Sequence, residues 1–438
     1  MTQRRVIIMG AAGRDFHNFN TFFRGRTDVK IIAFTAAQIP DIDGRVYPAA
    51  LCGEGYPNGI PIVAEEELAD LIVREKVNDV VFAYSDISYP NLMNKSALVM
   101  AAGANFMMLG PDDTMIPSKK PVVAVTAVRT GCGKSQTTRR VADILRSAGK
   151  RVVVIRHPMP YGDLVKQRVQ RFASIEEMAA QNCTIEEMEE YEHHIVSGSV
   201  VFAGVDYQAI LEQAEKQADV ILWDGGNNDF PFFKPDLHIT VVDPLRPGHE
   251  VGYFPGEVNL RRANAIIINK IESAHPEDVD EVRQNIRLAN PSAMVIDAAS
   301  PVSVDFPERL SGMRALVVED GPTLTHGEMN FGAGIVAAQK FGCADLVDPR
   351  PFLQGKLVET FEKYPDIGVL LPAMGYSPQQ VKDLEDTINS SDADVVVIGT
   401  PIDLRRIIDI RKPTVRVTYE LQEIGRPNLT DALAKLLR

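Results

Sequence analysis

Residues 122–148 read VVAVTAVRTGCGKSQTTRRVADILRSA, and this stretch decides the fold. The opening VVAVTAV is an unbroken apolar run of the kind a strand buried on both faces requires. From Gly133 onward Val141, Ile144 and Leu145 recur at helical spacing. Between strand and helix lies Arg129-Thr-Gly-Cys-Gly-Lys-Ser135. A strand, a glycine-containing loop, Lys-Ser and a helix together make a cradle for a nucleoside triphosphate. Backbone N–H groups of Thr130, Gly131, Cys132 and Gly133 wrap the β-phosphate, and Lys134 reaches the β and γ oxygens. Ser135 holds Mg²⁺, Gln136 follows in the first helical turn, and the helix N-terminus adds its dipole. The consensus loop opens on glycine where this chain has Val128, and Arg129 stands where deviant Walker loops carry a second lysine. A guanidinium there bridges the α- and γ-phosphates or reaches a second phosphate-bearing substrate; the plainer alternative is a salt bridge on the loop surface.

At 438 residues the chain exceeds one ordinary core, so two or three domains are expected. With 45% apolar and 24% charged residues it reads as a soluble globular protein. A net charge of −13 without a basic tail sets nucleic acid aside as a main partner. The same charge repels an anionic substrate unless a local basic pocket focuses the field. The four cysteines, Cys52, Cys132, Cys183 and Cys343, form no CxxC pair, which predicts a reduced, cytoplasmic protein without structural zinc or disulfides. Cys132, inside the phosphate loop, is either an oxidant-sensitive thiol with a lowered pKa or a small residue that fits the turn. The apolar run in MTQRRVIIMGAAG is too short for a signal peptide, and no segment reaches membrane-spanning length. No membrane partner is expected.

Strands alternate with helices along the chain, which predicts an α/β protein in three parts. Residues 1–118 read as a Rossmann-like parallel sheet, 119–310 as a P-loop NTPase domain with a deviant Walker A loop, and 311–438 as a smaller C-terminal α/β region packed on it. A dinucleotide fingerprint would need a third glycine near Phe16 and an acidic residue where Thr35 stands; both are missing, so NAD is not expected. What remains after the first strand is a turn carrying Gly10, Gly13, Arg14, Asp15, His17 and Asn18, either an anion or substrate site or an ordinary turn.

In a parallel sheet the carboxyl ends of the strands face the ligand crevice. Strand 151–155 ends in Arg156 and His157, a cationic pair suited to a polyanion or simply a capped strand end. Strand 219–223 ends in Asp224-Gly-Gly-Asn-Asn-Asp229, which makes Asp224 the first choice for the Walker B carboxylate and Asp229 the weaker one. The loop after 237–242 offers Arg246 and His249. Strand 265–268 leads into Asn269-Lys270-Ile-Glu272, similar to the NKxD base-recognition element of GTPases with glutamate for aspartate, which leaves ATP or GTP open. The helix 185–195, with Glu186, Glu187, Glu189, Glu190 and Glu192, is predicted as a solvated face; its adjacent His193 and His194 are not expected to project together as metal ligands. The polar loop 321–327 is placed to enter the active site.

GAAGRDFHNFN, FTAAQIPDIDGRVYP, FAYSD, AVTAVRTGCGKSQTTRR, RHPMPYGDL, WDGGNND, DPLRPGHE, INKIESA and VEDGPTLTHG, in this order, resemble the cyclic 2,3-diphosphoglycerate synthetase family, whose relatives are often called predicted GTPases. The resemblance implies an ATP-dependent, Mg²⁺-requiring ligase, a homodimer, that closes a phosphoanhydride between the two phosphates of 2,3-diphosphoglycerate and releases ADP and phosphate. In that chemistry Lys134, Arg129 and Mg²⁺ on Ser135 and Asp224 stabilise the γ-phosphoryl group. Arg156, His157, Arg246, His249, Arg14 and His17 hold the small phosphorylated acid, while Asn269 and Lys270 serve the nucleotide. The competing expectation is a regulatory or metallochaperone-type GTPase acting with a protein partner.

Overall fold

The computed structural model describes residues 3–11, 13–36, 44–157, 162–181, 183–226, 229–325, 330–373 and 377–438. Strand Val122–Ala127 is buried along its whole length because strands pair with it on both edges, Val220–Asp224 on one side and Leu237–Val242 on the other. These three occupy the middle of a nine-stranded sheet ordered Gln170–Phe172, Val200–Ala203, Val152–Arg156, Val220–Asp224, Val122–Ala127, Leu237–Val242, Ala265–Ile268, Met294–Ala299, Gln422–Glu423. All but the two edge strands run parallel, so their carboxyl ends open on one crevice. Helix Lys134–Ser147 buries Val141, Ala142 and Leu145 against this sheet.

A six-stranded sheet precedes it, ordered Val46–Tyr47, Ile60–Ala64, Val29–Ala36, Arg4–Met9, Asp79–Phe82, Asn105–Met108, parallel except for Val46–Tyr47. Its first helix begins at Arg14, directly after Gly13, and runs through a wider turn at Phe19–Phe23. A short antiparallel pair, Ile87–Ser88 with Tyr253–Phe254, ties this sheet to the central one. Phe254 and Phe230 from the central part join the core that contains Ile7, Phe82 and Leu92.

The third sheet is built on Arg314–Asp320, Val395–Ile398 and Thr414–Tyr419. It draws an edge strand, Val302–Val304, from before residue 311. It also returns the chain end to the centre: Gln422–Glu423 pairs with Met294–Ala299, and Leu429 and Leu433 share a core with Val123 and Val125. Among the described residues no helix is long and apolar enough to cross a membrane.

Candidate active site

The phosphate loop is held from below by its carbonyls. Asn269 Nδ2 donates to Cys132 O at 2.9 Å, Lys270 Nζ to Gly131 O at 2.7 Å and Arg246 Nη2 to Thr130 O at 2.7 Å. Buried Asp243, just past strand Leu237–Val242, lies 2.8 Å from Lys270 Nζ and 3.4 Å from Arg246 Nη2 and so fixes both donors. Burial alone would raise the Asp243 carboxyl, but the Lys270 and Arg246 charges outweigh it and lower it. With three consecutive carbonyls pinned on one side, the loop is shaped to present N–H groups on the other, as an anion nest requires. Gly133, at φ +107°, sits where a Cβ would fall 2.1 Å from Asn269 Nδ2. The glycine missing at Val128 has a counterpart at Gly256, whose Cβ would meet Val128 O at 2.2 Å, so helix Gly256–Arg262 packs directly on the loop's first residue.

Asn269 and Lys270, read from the sequence as a base-recognition element, contact the backbone of the Arg129–Ser135 loop. Arg246 is a correction: it braces the loop from behind and is not placed as a substrate cation. Gln136 is buried and accepts from Ser300 Oγ at 3.0 Å, while Glu272 accepts the Ser300 N–H at 2.9 Å. Cys132 is also a correction. Its thiol is buried, and burial pushes it up to about 11, so the expected lowered pKa is not found and the small-residue reading agrees with the turn.

At the crevice floor Lys134 Nζ lies 2.6 Å from Asp224 Oδ1, which also accepts from Thr138 Oγ1 at 3.2 Å. Arg156 Nη1 lies 2.6 Å from Asp224 Oδ2, and His194 Nε2 lies 3.0 Å from the same oxygen. Arg156 pairs on its far side with Glu190. Burial would raise the Asp224 carboxyl, yet the Arg156 and Lys134 charges and the His194 hydrogen bond hold it well below the usual carboxylate range. Burial lowers both His193 and His194, which keeps these imidazoles neutral.

Two expectations fail here. His193 and His194 do converge: one nitrogen of each and an Asp224 oxygen lie within 4.8 Å of one another. The last turn of helix Ile185–Val196 lies beside the strand end, so neighbouring side chains reach the same carboxylate. The acidic run is likewise not one solvated face, since Glu187 is buried in a capping box with Thr184, Glu190 pairs with Arg156 and Glu192 pairs with Arg406.

Arg129 takes neither course expected of it. It is buried, not on the surface, and pairs with Asp86 in the connection that leaves strand Asp79–Phe82 of the N-terminal sheet: Nε lies 2.5 Å from Asp86 Oδ1. Its Nη1 meets His249 Nδ1 at 2.7 Å, and the guanidinium lies 3.6 Å over the Tyr253 ring. Burial and the Arg129 charge push His249 down to about 4, leaving it a neutral acceptor for Arg129 instead of a substrate cation.

Arg14, His17 and His157 come together in the seam between the first two sheets. Arg14 Nε lies 3.9 Å from Asp229 Oδ1, and His157 Nδ1 lies 3.2 Å from Asp229 Oδ2. His17 stacks on Phe232 at 3.9 Å, Arg14 lies 4.4 Å over the same ring, and His17 Nε2 donates to Thr114 O at 2.8 Å. Burial lowers Arg14 to about 10 and drops His17 well below its ordinary value. Asp229 serves this cluster and not a Walker B role. Asn227, Asn228, residues 158–160 and the His326-Gly327 end of the polar loop lie outside the described residues.

Sequence reasoning missed Asp86, Asp243 and the His194–Asp224 pair. Asp86 and Asp243 each follow a parallel strand at its carboxyl end, a signal that was legible. His194 had no such signal.

Ser135, half-buried in the first helical turn, and Asp224 offer the hard oxygen donors that Mg²⁺ takes, with imidazole nitrogen beside them.

No family model matches the chain. The chain is 60% identical over 431 residues to arginine synthetase ArcE of Thermococcus kodakarensis, spanning 98% of this chain and 96% of that protein. Among solved structures, LpxK of Aquifex aeolicus in complex with ATP shares 11% identity at a TM-score of 0.46, over 85% of this chain and 96% of its own. Hydrogenase maturation factor HypB of Archaeoglobus fulgidus shares 14% at a TM-score of 0.28, over 41% and 81%. Likenesses of that size carry no argument about chemistry. The near-full-length relative bears a different name from the family that the motifs resemble, and both names denote synthetases. At 60% identity from end to end, the chain belongs to the arginine synthetase ArcE family and is an enzyme of the synthetase class.

Proposed function

We propose that this protein forms arginine in an ATP-driven reaction that builds the guanidino group. The observation that carries the reading is the 60% identity to arginine synthetase over 98% of the chain, joined to a phosphate loop whose Lys134 and Asp224 meet at 2.6 Å. A phosphate loop delivers the γ-phosphoryl group, so the products from the nucleotide are ADP and phosphate rather than AMP. The acceptor that makes chemical sense is the ureido oxygen of citrulline, one heteroatom away from arginine. Phosphorylation turns that oxygen into a leaving group, and ammonia then adds to the ureido carbon and expels phosphate. Citrulline, ATP and ammonia in, arginine, ADP and phosphate out, balances every atom.

The protein's own share is positioning and charge neutralisation. Lys134 exchanges Asp224 for the γ-phosphoryl oxygens, and the loop N–H groups hold the β-phosphate. Mg²⁺, when bound at Ser135 and Asp224, supplies the charge that screens the triphosphate. The His157–Asp229–Arg14 cluster in the seam offers a carboxylate and a guanidinium, the pair that an α-amino acid's ammonium and carboxylate need.

Closure of a cyclic phosphoanhydride on 2,3-diphosphoglycerate is the finer alternative, using the same loop. The ion pairs favour arginine. Arg156 is already matched by Asp224 and Glu190, Arg129 by Asp86 and Arg246 by Asp243, and a doubly phosphorylated acid would have to compete with each carboxylate. A neutral ureido group displaces none of these three, and the amino acid's own carboxylate and ammonium exchange only with the looser Arg14–Asp229 pair at 3.9 Å.

The test supplies the full chain with ATP or GTP, citrulline and ¹⁵N-ammonia, and follows arginine by mass spectrometry. Arginine carrying one ¹⁵N, with ADP formed in equal amount, is the expected result. A cyclic anhydride in the phosphorus NMR spectrum with 2,3-diphosphoglycerate, and no arginine, would replace this reading with the alternative.

A further inference from the structure

We infer that the divalent cation at the nucleotide site is bound partly through histidine nitrogen, by His194 with His193 beside it, in addition to the oxygens of Asp224. The inference rests on the nucleotide-binding reading above.

Three observations converge. Helix Ile185–Val196 brings nitrogens of two adjacent histidines and a carboxylate oxygen within 4.8 Å of one another, at the end of the strand that supplies the Walker B carboxylate. His194 Nε2 and Asp224 Oδ2 are 3.0 Å apart. Two ligands each about 2.1 Å from one metal ion and at right angles lie about 3 Å apart, which is the separation of these two atoms; Arg156 Nη1, 2.6 Å from the same oxygen, moves aside when the cation enters. The Nδ1 atom of His194 is buried without a hydrogen-bond partner among the described residues. A neutral imidazole that ligates through Nε2 carries its proton on Nδ1, and no partner at Nδ1 opposes that tautomer.

Charge decides when the site fills. Asp224 already meets Lys134 at 2.6 Å and Arg156 at 2.6 Å, and two cations there oppose a third. A triphosphate draws the Lys134 ammonium onto its own oxygens and removes one of these two charges, while Arg156, which shares Asp224 Oδ2 with His194, keeps Glu190 as its other partner when a cation takes that oxygen. The cation therefore binds with the nucleotide and weakly without it. Imidazole ligation also shifts preference from Mg²⁺, which favours all-oxygen shells, towards Mn²⁺ and Co²⁺.

The experiment uses the full chain labelled with ¹⁵N only in histidine, with Mn²⁺ and ADP, read by pulsed electron paramagnetic resonance. The expected spectrum shows ³¹P coupling from the nucleotide and ¹⁵N coupling from histidine, with the ¹⁵N coupling diminished in His194→Gln. Phosphorus coupling without histidine nitrogen overturns this inference and leaves nucleotide binding standing. Neither coupling overturns both readings. Nitrogen without phosphorus overturns the shared site. The wild-type spectrum alone decides between these outcomes, so a His194→Gln protein that fails to fold leaves the test intact.

Discussion

Asp86 Oδ1 lies 2.5 Å from Arg129 Nε, and through this contact the N-terminal sheet grips the phosphate loop of the central one. The second Asp86 oxygen accepts from Thr130 N at 3.3 Å, so one carboxylate holds both the side chain and the backbone at the loop's entry. The two side chains are 3% and 1% exposed. In such a buried pair, removing one partner strands the other charge and costs about 3–5 kcal/mol, whereas replacing both leaves nothing stranded. Asp86→Ala is therefore expected to destabilise the protein by that amount in urea unfolding. Asp86→Ala combined with Arg129→Met is expected to recover part of the loss. Equal losses in the single and double variants would show that the pair carries no coupling.

Lys134 is aimed at the crevice floor, where Asp224 holds it. Lys134→Ala removes the charge that the β- and γ-phosphates require, and the dissociation constant for ATP is expected to rise on the order of a hundredfold, as when one preorganised donor is lost. Calorimetric titration measures it. Unchanged affinity would remove the loop from the nucleotide site.

In the third sheet, Glu319 gives the fold a pH dependence. It is buried at the end of strand Arg314–Asp320, where Cβ atoms added at Gly332 and Gly399 would lie 2.5 and 2.4 Å from its carboxyl group, and it accepts from Ile335 N at 3.0 Å. Burial raises its carboxyl from 4.5 to about 8. The unfolded chain loses this proton above 4.5 while the folded chain keeps it, so Glu319's contribution is fully present below 4.5 and declines as pH rises, by about 1.4 kcal/mol per unit until the folded group ionises near 8. Thermal unfolding of Glu319→Gln between pH 5 and 8 is expected to lack this share of the slope. Parallel curves for the two proteins would refute it.

The central fold was legible because its signals are local. An apolar run long enough for one buried strand, followed by Gly-Lys-Ser and helical spacing, fixes a βα unit, and strands 151–155, 219–223, 237–242 and 265–268 could be read after it, whereas Val200–Ala203 and Met294–Ala299 were not. Asp224 was found that way. What the sequence hid were the partners. Nothing near Arg129 shows that Asp86, 43 positions earlier, holds its guanidinium, so this cation was assigned first to the γ-phosphoryl group, with a surface salt bridge as the alternative. The same holds for Arg246, whose partner Asp243 is only three residues away but whose target, Thr130 O, is 116 positions distant. His193 and His194 were set aside on helical spacing alone, a rule about one helix that fails when a second element supplies the third ligand.

Gly133 separates two costs that usually travel together. Its φ of +107° is unfavourable for any side chain, worth roughly 1–2 kcal/mol, and the Asn269 amide would lie 2.1 Å from a new Cβ, an overpacking cost of about 1–3 kcal/mol. Gly133→Ala is therefore expected to weaken ATP binding by displacing Asn269 from Cys132 O, besides lowering stability. Pairing it with Asn269→Ala removes the clash but leaves the backbone strain and the untethered carbonyl. Stability is then expected to recover in part while ATP affinity stays low, because the loop still lacks the tie that aims its N–H groups. If the double variant regained full affinity, Asn269 would be a spectator, and the shape of the loop would come from Lys270 and Arg246 alone.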